Sequence, residues 1–273
     1  MAHNMIEVRG LSTSSAPRCR YRFRDVAAME WIKLVTLRST WWTLAITLAG
    51  AVAMAVVIGL NTKNAAADLT NNALAGMVPG LLLTGVLGVL IMTSEYTSGM
   101  IRATLAAAPR RPLVLAAKAA VFGGVTLVLG EAAAFTAFLA GGAALRHGIT
   151  APALTQPGVL RAVVLSGASF ALIGLLGLGL GVIVRHTAAA IGVLVGGVWI
   201  LAQVIGALAN GAIAYLPISI IANSLGTTKP ETCGGSAGSC PHLLSAWAGL
   251  GVLCLYAAAL LAVGGWLLSR RDA

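Results

Sequence analysis

Very few side chains in this sequence can do chemistry, and many of them sit in one stretch. Asp, Glu, Lys and Arg make only 10% of the 273 residues. Yet residues 95–118, EYTSGMIRATLAAAPRRPLVLAAK, hold Glu95, Arg102, Arg110, Arg111 and Lys118. Gly99 permits a tight turn after the acid, and Pro109 ends whatever helix follows. Between them, 100–108 fits a short helix. Met100, Ile101, Thr104, Leu105 and Ala108 share one face, and Arg102 lies on the other. Such a rod suits docking to a partner; the plainer reading is a basic loop that only fixes topology.

A second chemical candidate is Glu131, alone in a long apolar run. An ionised carboxylate in hydrocarbon costs on the order of 2.5–3.5 kcal/mol. It must face protein or water, or be protonated. It serves either as a proton or cavity site or as one end of an interhelical hydrogen bond, with Gln203 as a possible partner. No Lys or Arg lies deep in another run to pair with it, which favours the hydrogen bond.

Several chemistries are excluded. There is no G-x-x-x-x-G-K-[ST], so the chain has no P-loop for ATP. There is no C-x-x-C and no H-E-x-x-H, so no metal site is expected. His3, His147, His186 and His242 each stand alone. The Gly177, Gly179 and Gly181 run lies inside apolar sequence, where small residues serve helix packing rather than a dinucleotide. Gly76 with Gly80, Gly177 with Gly181, and Gly192 with Gly196 repeat the G-x-x-x-G spacing. No catalysis is expected of this chain.

The elements that position these groups are membrane helices. Hydrophobic residues make 58% of the chain, and mean hydropathy is +0.91. A soluble domain is about 45–50% apolar and about 25% charged. Six apolar runs, 41–60, 73–94, 119–144, 159–184, 187–209 and 243–268, are each near or above the roughly 20 residues that cross a bilayer. Before them lies a basic tail, 1–22, expected to be disordered. Residues 23–37 then read as an amphipathic helix lying on the membrane, with Phe23, Val26, Ala27, Trp31 and Leu34 on one face and Asp25, Lys33 and Thr36 off it. Glu30 falls on the apolar face, with Lys33 in i,i+3 reach. The transmembrane unit is expected over 23–273, with no soluble domain. The apolar piece 213–225 is too short to cross; it is either re-entrant, with Tyr215, Pro217 and Asn223 at a cavity, or an extension of the preceding span.

Charge sets the orientation. The formal charge is +10, from 18 Lys and Arg against 8 Asp and Glu. With both termini inside, only Lys63, Arg146, Arg161 and Lys229 of the basic residues lie outside, which is the expected bias for cytoplasmic termini. The charges flank apolar runs, so anionic lipid rather than nucleic acid is the expected polyanion. Cys233 and Cys240 then lie in an outer loop, where a disulfide is expected. Cys19 and Cys254 should stay reduced.

The chain resembles a permease subunit of the type-2 ATP-binding-cassette exporters, in the form common in high-GC bacteria. The resemblance runs from Asp25 to Arg271. It rests on Glu30-Trp31-x-Lys33-Leu34 leading to Arg38-Ser39-Thr40-Trp41-Trp42, and on Ser94-Glu95-Tyr96-Thr97-Ser98-Gly99-Met100-Ile101-Arg102. Pro109-Arg110-Arg111, Arg185-His186-Thr187 and Tyr215-Leu216-Pro217 complete it. It implies an all-α bacterial plasma-membrane protein of six spans. Glu30, Trp31, Lys33 and Arg38 would belong to the elbow helix. Glu95, Gly99, Met100, Ile101, Arg102, Arg110 and Arg111 would form the coupling contact with an ATPase subunit, and Arg185 and His186 a second cytoplasmic contact. ATP and Mg would be held by that partner, with none bound here, and a second permease copy would complete the transporter. Amphipathic or hydrophobic cargo (drug, peptide or lipid) is expected from the apolar walls. One departure is the outer loop, which is small and glycine-rich where relatives often carry a larger polar one. Two other functions compete: a proton-coupled secondary transporter using Glu131, and a non-transporting assembly or sensor protein.

Overall fold

The computed structural model describes residues 22–63, 68–107, 110–146, 148–200, 204, 213–227 and 244–270. Among them there are helices and no strands. Helix α1 is Phe23–Thr36 and α2 is Arg38–Asn61; α3, Leu69–Ala75, and α4, Met77–Thr97, follow across Gly76. The short α5 is Met100–Ala107, and α6 is Arg111–Ala143. Then come α7, Val159–Val184, and α8, Thr187–Val195, which runs on into the π-helical turn Gly196–Ile200. After a 3-10 turn at Ile213–Tyr215 come α9, Pro217–Leu225, and α10, Ala246–Arg270.

Among the described residues, five stretches are long and apolar enough to cross a membrane: Arg38–Asn61, Leu69–Thr97, Arg111–Ala143, Val159–Val184 and Ala246–Arg270. This is a multi-pass membrane protein. The run 187–209 is described only through Ile200 and at 204, so its remainder lies outside the described residues. So do the tail 1–21, Cys19, Gln203, Cys233 and Cys240. The helical outcome follows from the solvent, because a chain in hydrocarbon must satisfy its backbone internally. Several buried hydroxyls obey the same demand, although those of Thr93 and Tyr96 have no partner among the described residues. Thr47, Thr84 and Thr126 each donate to the carbonyl four residues back. Large apolar side chains point outward along the spans, among them Ile46, Val57, Val128 and Leu255. In water such a surface would be costly; facing lipid it is not.

The core forms where α4, α6 and α7 meet, around Leu81, Phe122, Phe170, Ile173 and Leu178. The α4–α7 crossing is a backbone-to-backbone contact. A Cβ at Gly88 would collide with the Gly174 carbonyl oxygen, and one at Gly177 with that of Gly85. This is the close approach that small residues allow in membrane helices. Gly76 also sits tightly, since a Cβ there would lie 2.7 Å from the Ala51 oxygen. The pair Gly192 and Gly196 differs: neither would meet anything within 4 Å.

Three boundaries position the site. Arg22 N–H donates to the Asp25 carboxylate at 3.1 Å and opens α1. Leu37, extended at φ −78° and ψ 97°, breaks the chain between α1 and α2. Ser98 and Gly99 turn α4 into α5, and Gly99 has φ +70°, the left-handed region where glycine is favoured. The chain then alternates, so the ends of α4, α7 and α10 meet the beginnings of α2 and α6. Lys33, Arg38, Arg102, Arg110, Arg111, Lys118, Arg185 and Arg270 gather at this end. Lys63, Arg146 and Arg161 lie at the other.

The piece 213–225 forms the 3-10 turn and the separate short helix α9, near that second end. Pro217 takes its first position, where a missing N–H costs nothing. Asn223 Nδ2 donates to the Leu244 carbonyl at 2.7 Å, and the Tyr256 hydroxyl donates to the Tyr215 carbonyl at 3.0 Å. Beyond α9, Thr227 donates through N–H and hydroxyl to the Asp68 carboxylate.

Candidate functional site

Four charged side chains from three helices meet inside the basic end of the bundle. Glu30 and Lys33 stand one turn apart on α1, Glu95 is in the last turn of α4, and Lys118 is two turns into α6. Lys33 Nζ lies 3.0 Å from Glu30 Oε1 and 3.1 Å from Glu95 Oε1. Lys118 Nζ lies 2.8 Å from the same Glu95 oxygen and also binds Glu30 Oε2. Each acid thus bridges both lysines. Lys33 makes a third bond, 3.2 Å to the Thr104 hydroxyl of α5. Side-chain exposure is 3% at Glu30, 5% at Lys118, 8% at Glu95 and 23% at Lys33.

Electrostatics explains why the four occur together. Removing one ion from water costs several kcal/mol, recovered only where the counter-charge geometry is good. Two acids and two bases make the set neutral. Burial alone would lower the Lys33 pKa, but its hydrogen bond to Glu30 and the charge of Glu95 outweigh burial and hold it above the usual lysine value. Glu95 Oε2 is buried and has no hydrogen-bond partner.

The set ties α5 to the spans. Ile101 is 4% exposed and Thr104 5%, so this face of α5 packs inward, Ile101 joining Leu34 and Leu115. Met100, Arg102 and Ala103 face out. This corrects the expected placement of the rod's apolar face and of Glu95, because neither Ile101 nor the Glu95 carboxylate is on an exposed docking surface. Leu105 side chain, Ala108 and Pro109 lie outside the described set. Arg110 is exposed, and half-buried Arg111 donates to the Leu268 carbonyl at 3.1 Å, joining α6 to α10.

The α1 face also differs from the helical-wheel expectation. Val26, Glu30 and Leu34 are buried, while Phe23 and Trp31 are exposed. Lys33 turns inward and Trp31 outward. A wheel ranks residues by hydropathy and assumes water outside; here the ions have partners inside, and the outer side is apolar through Trp31, Ile32 and Val35. Arg38 is exposed at the start of α2.

Arg185 closes α7 in a left-handed conformation, φ 59°, with its guanidinium 5.3 Å from the Tyr96 ring centroid. His186 Nδ1 accepts from Ala189 N–H and caps α8. The second loop at this end therefore rests on the last turn of α4, one residue from Glu95.

Glu131 stands apart, in the middle of α6. Its Oε2 is buried without a partner. The carboxyl fills the space left by Gly167 on α7, where a Cβ would lie 2.6 Å from Glu131 Cδ. The expected hydrogen bond to Ser, Thr or Gln is not formed among the described residues. No group of His, Cys, Asp and Glu among them could hold a metal ion.

No family model matches the sequence, and no curated protein is similar to it.

Proposed function

We propose that this chain is the membrane-spanning permease subunit of an ATP-driven exporter. Its sixth span is the 187–209 run, both termini are cytoplasmic, and it works with a separate ATPase and a second permease copy. The observation that carries this reading is α5. It is a short helix outside the spans, held from within by Lys33 and Thr104, with Met100 and Arg102 left outward. In this reading α1 is the elbow helix and α5 the coupling helix. The four-ion set is the joint through which a push on α5 reaches α1, α4 and α6 together. Buried ions with several partners resist independent displacement, because separating any one leaves an unpaired charge. Cargo is an amphipathic or hydrophobic molecule, and ATP and Mg belong to the partner.

The test is purification from native membranes in mild detergent. A stoichiometric companion that hydrolyses ATP, and whose hydrolysis responds to amphipathic cargo, is the expected result. A chain that transports in vesicles on a proton gradient alone, with no companion, would replace this reading by the Glu131 proton mechanism.

A further inference from the structure

Glu131 lies on the outward side of α6, an expensive place for an acid. Counted at about 100° per residue, it is about 60° around the helix from Val128 and about 20° from Gly124. Val128 is 69% exposed and Leu127 41%, and Gly124 and Ala132 are exposed too. Glu131 itself is half-buried. Its Oε2 is tucked against α7, where a Cβ at Gly167 would lie 2.7 Å from it. Oε1 is not buried, and neither oxygen has a hydrogen-bond partner among the described residues. We propose that this face of α6 is where two copies of the chain meet, their Glu131 carboxyls hydrogen-bonded to each other across a two-fold axis along the membrane normal.

The partner follows from the chemistry of the group. Hydrocarbon offers a carboxyl neither donor nor acceptor, so an ionisable side chain in a span pairs with another polar group or faces water. A neutral carboxyl is both donor and acceptor, and is therefore complementary to itself. A two-fold axis along the membrane normal brings the same residue of each copy to the same depth, because such an interface is one patch meeting itself. Oε1 of one copy donates and Oε1 of the other accepts, while each Oε2 stays against Gly167. The surface around the acid permits the approach. Ala116, Ala120, Gly124 and Ala132 recur on it at multiples of four, with Val128 between, and all are exposed. A Cβ at Gly124 would meet nothing within 4 Å. Small residues at this spacing let two membrane helices come close. The inference rests on the second copy named above, to which it gives a face, and needs no ATPase.

The full chain, carrying donor or acceptor dye at its C-terminus, is reconstituted in phosphatidylcholine vesicles, and energy transfer is followed as added lipid dilutes it. The wild type is expected to associate. Glu131→Leu removes the pair and should weaken association about tenfold, the scale that polar contacts between model membrane helices reach. Glu131→Gln, whose amide both donates and accepts, should associate as the wild type does. Gly124→Ile, with open space around it in the single chain, should abolish association at an unchanged unfolding midpoint; Ala132→Phe serves if that variant misfolds. With the four native cysteines replaced by serine, Val128→Cys should cross-link to its copy on oxidation. Val57→Cys, 51% exposed on α2, should not. A dimer indifferent to Glu131→Leu and Gly124→Ile, or one cross-linked through Val57→Cys instead, would overturn this face and leave the second copy in place. A chain that is monomeric at every dilution would overturn both.

Discussion

Lys118 and Glu95 lie 2.8 Å apart, one at the last turn of a span and the other two turns into the next span. The loop between them folds back so that its two flanking charges neutralise each other inside the bundle. Glu30 and Lys33 complete the set from the helix that precedes the first span.

The first prediction concerns that set. Lys118→Met leaves two acids sharing one base and should destabilise the chain by about 3–5 kcal/mol, the usual result of breaking a buried pair. Glu95→Gln should do similar harm. The double variant should lose less than the sum of the two, because each single change exposes the other's unpaired charge. Thermal unfolding of the four proteins in one detergent measures the coupling, and simple additivity would mean that the ions act independently.

Lys33 gives a pH test whose sign is fixed. Its folded pKa lies above the ordinary 10.5. The stability it adds is therefore fully present below that ordinary value and is lost as pH rises through the folded value. The unfolding midpoint of wild type minus that of Lys33→Met should be flat at neutral pH and shrink only in strong alkali. A difference that shrinks on acidification instead would assign the effect to the carboxylates.

The glycines separate tight contacts from free surface. Gly177→Val should break the α4–α7 crossing, since even a Cβ collides with the Gly85 carbonyl. Expression of folded protein should fall sharply. Gly192→Val has open space around it and should leave the isolated chain folded, as judged by a monodisperse profile in detergent. Loss of fold at Gly192 would place another part of the chain there.

Much of this architecture was legible in the sequence. Apolar runs located the spans because hydrocarbon leaves the backbone no alternative to helix or closed barrel. Val159–Val184 coincides with its run. The α6 helix does not: it begins at Arg111, before the run at 119, because Lys118 finds counter-charges and need not mark an aqueous boundary. The turn at Gly99 and the Glu30–Lys33 neighbourhood were readable from local spacing. The four-ion set as a whole was not, since its members are far apart in the chain and pair only through tertiary packing. One signal pointed to it. In a chain so poor in charge, Glu95 and Lys118 flank a single loop with opposite signs, and Glu30 with Lys33 lies on the amphipathic helix before the first span. The face of α5 was misread because one apolar stripe can dock inward or outward, and spacing does not say which.

Glu131 tests whether an unpaired carboxyl is structural. Glu131→Gln keeps the shape that fits against Gly167 and removes the charge cost. Transport in proteoliposomes should then be nearly intact and stability equal or higher. Abolished transport at normal expression would make the carboxyl a proton carrier and favour the secondary-transport reading.

The last prediction divides α5 between its two faces. Ile101 is buried at 4% exposure and Met100 is half exposed at 50%. Ile101→Asp would place an unpaired charge among Leu34 and Leu115 and should cost several kcal/mol, so little folded protein should be recovered. Met100→Asp faces out and should fold, with an unfolding midpoint near wild type. If α5 is the coupling contact, Met100→Asp and Arg102→Glu should nevertheless lose the companion ATPase, because the exposed side is what a partner would touch. Reversing a charge at an interface adds repulsion to the lost contact, so Arg102→Glu should be the more damaging and the more sensitive to salt. Unfolding midpoint, companion yield and ATP hydrolysis would be measured on the same preparations. Variants that fold, keep the companion and sustain hydrolysis would remove α5 from the coupling role while leaving its anchorage by Lys33 and Thr104 intact.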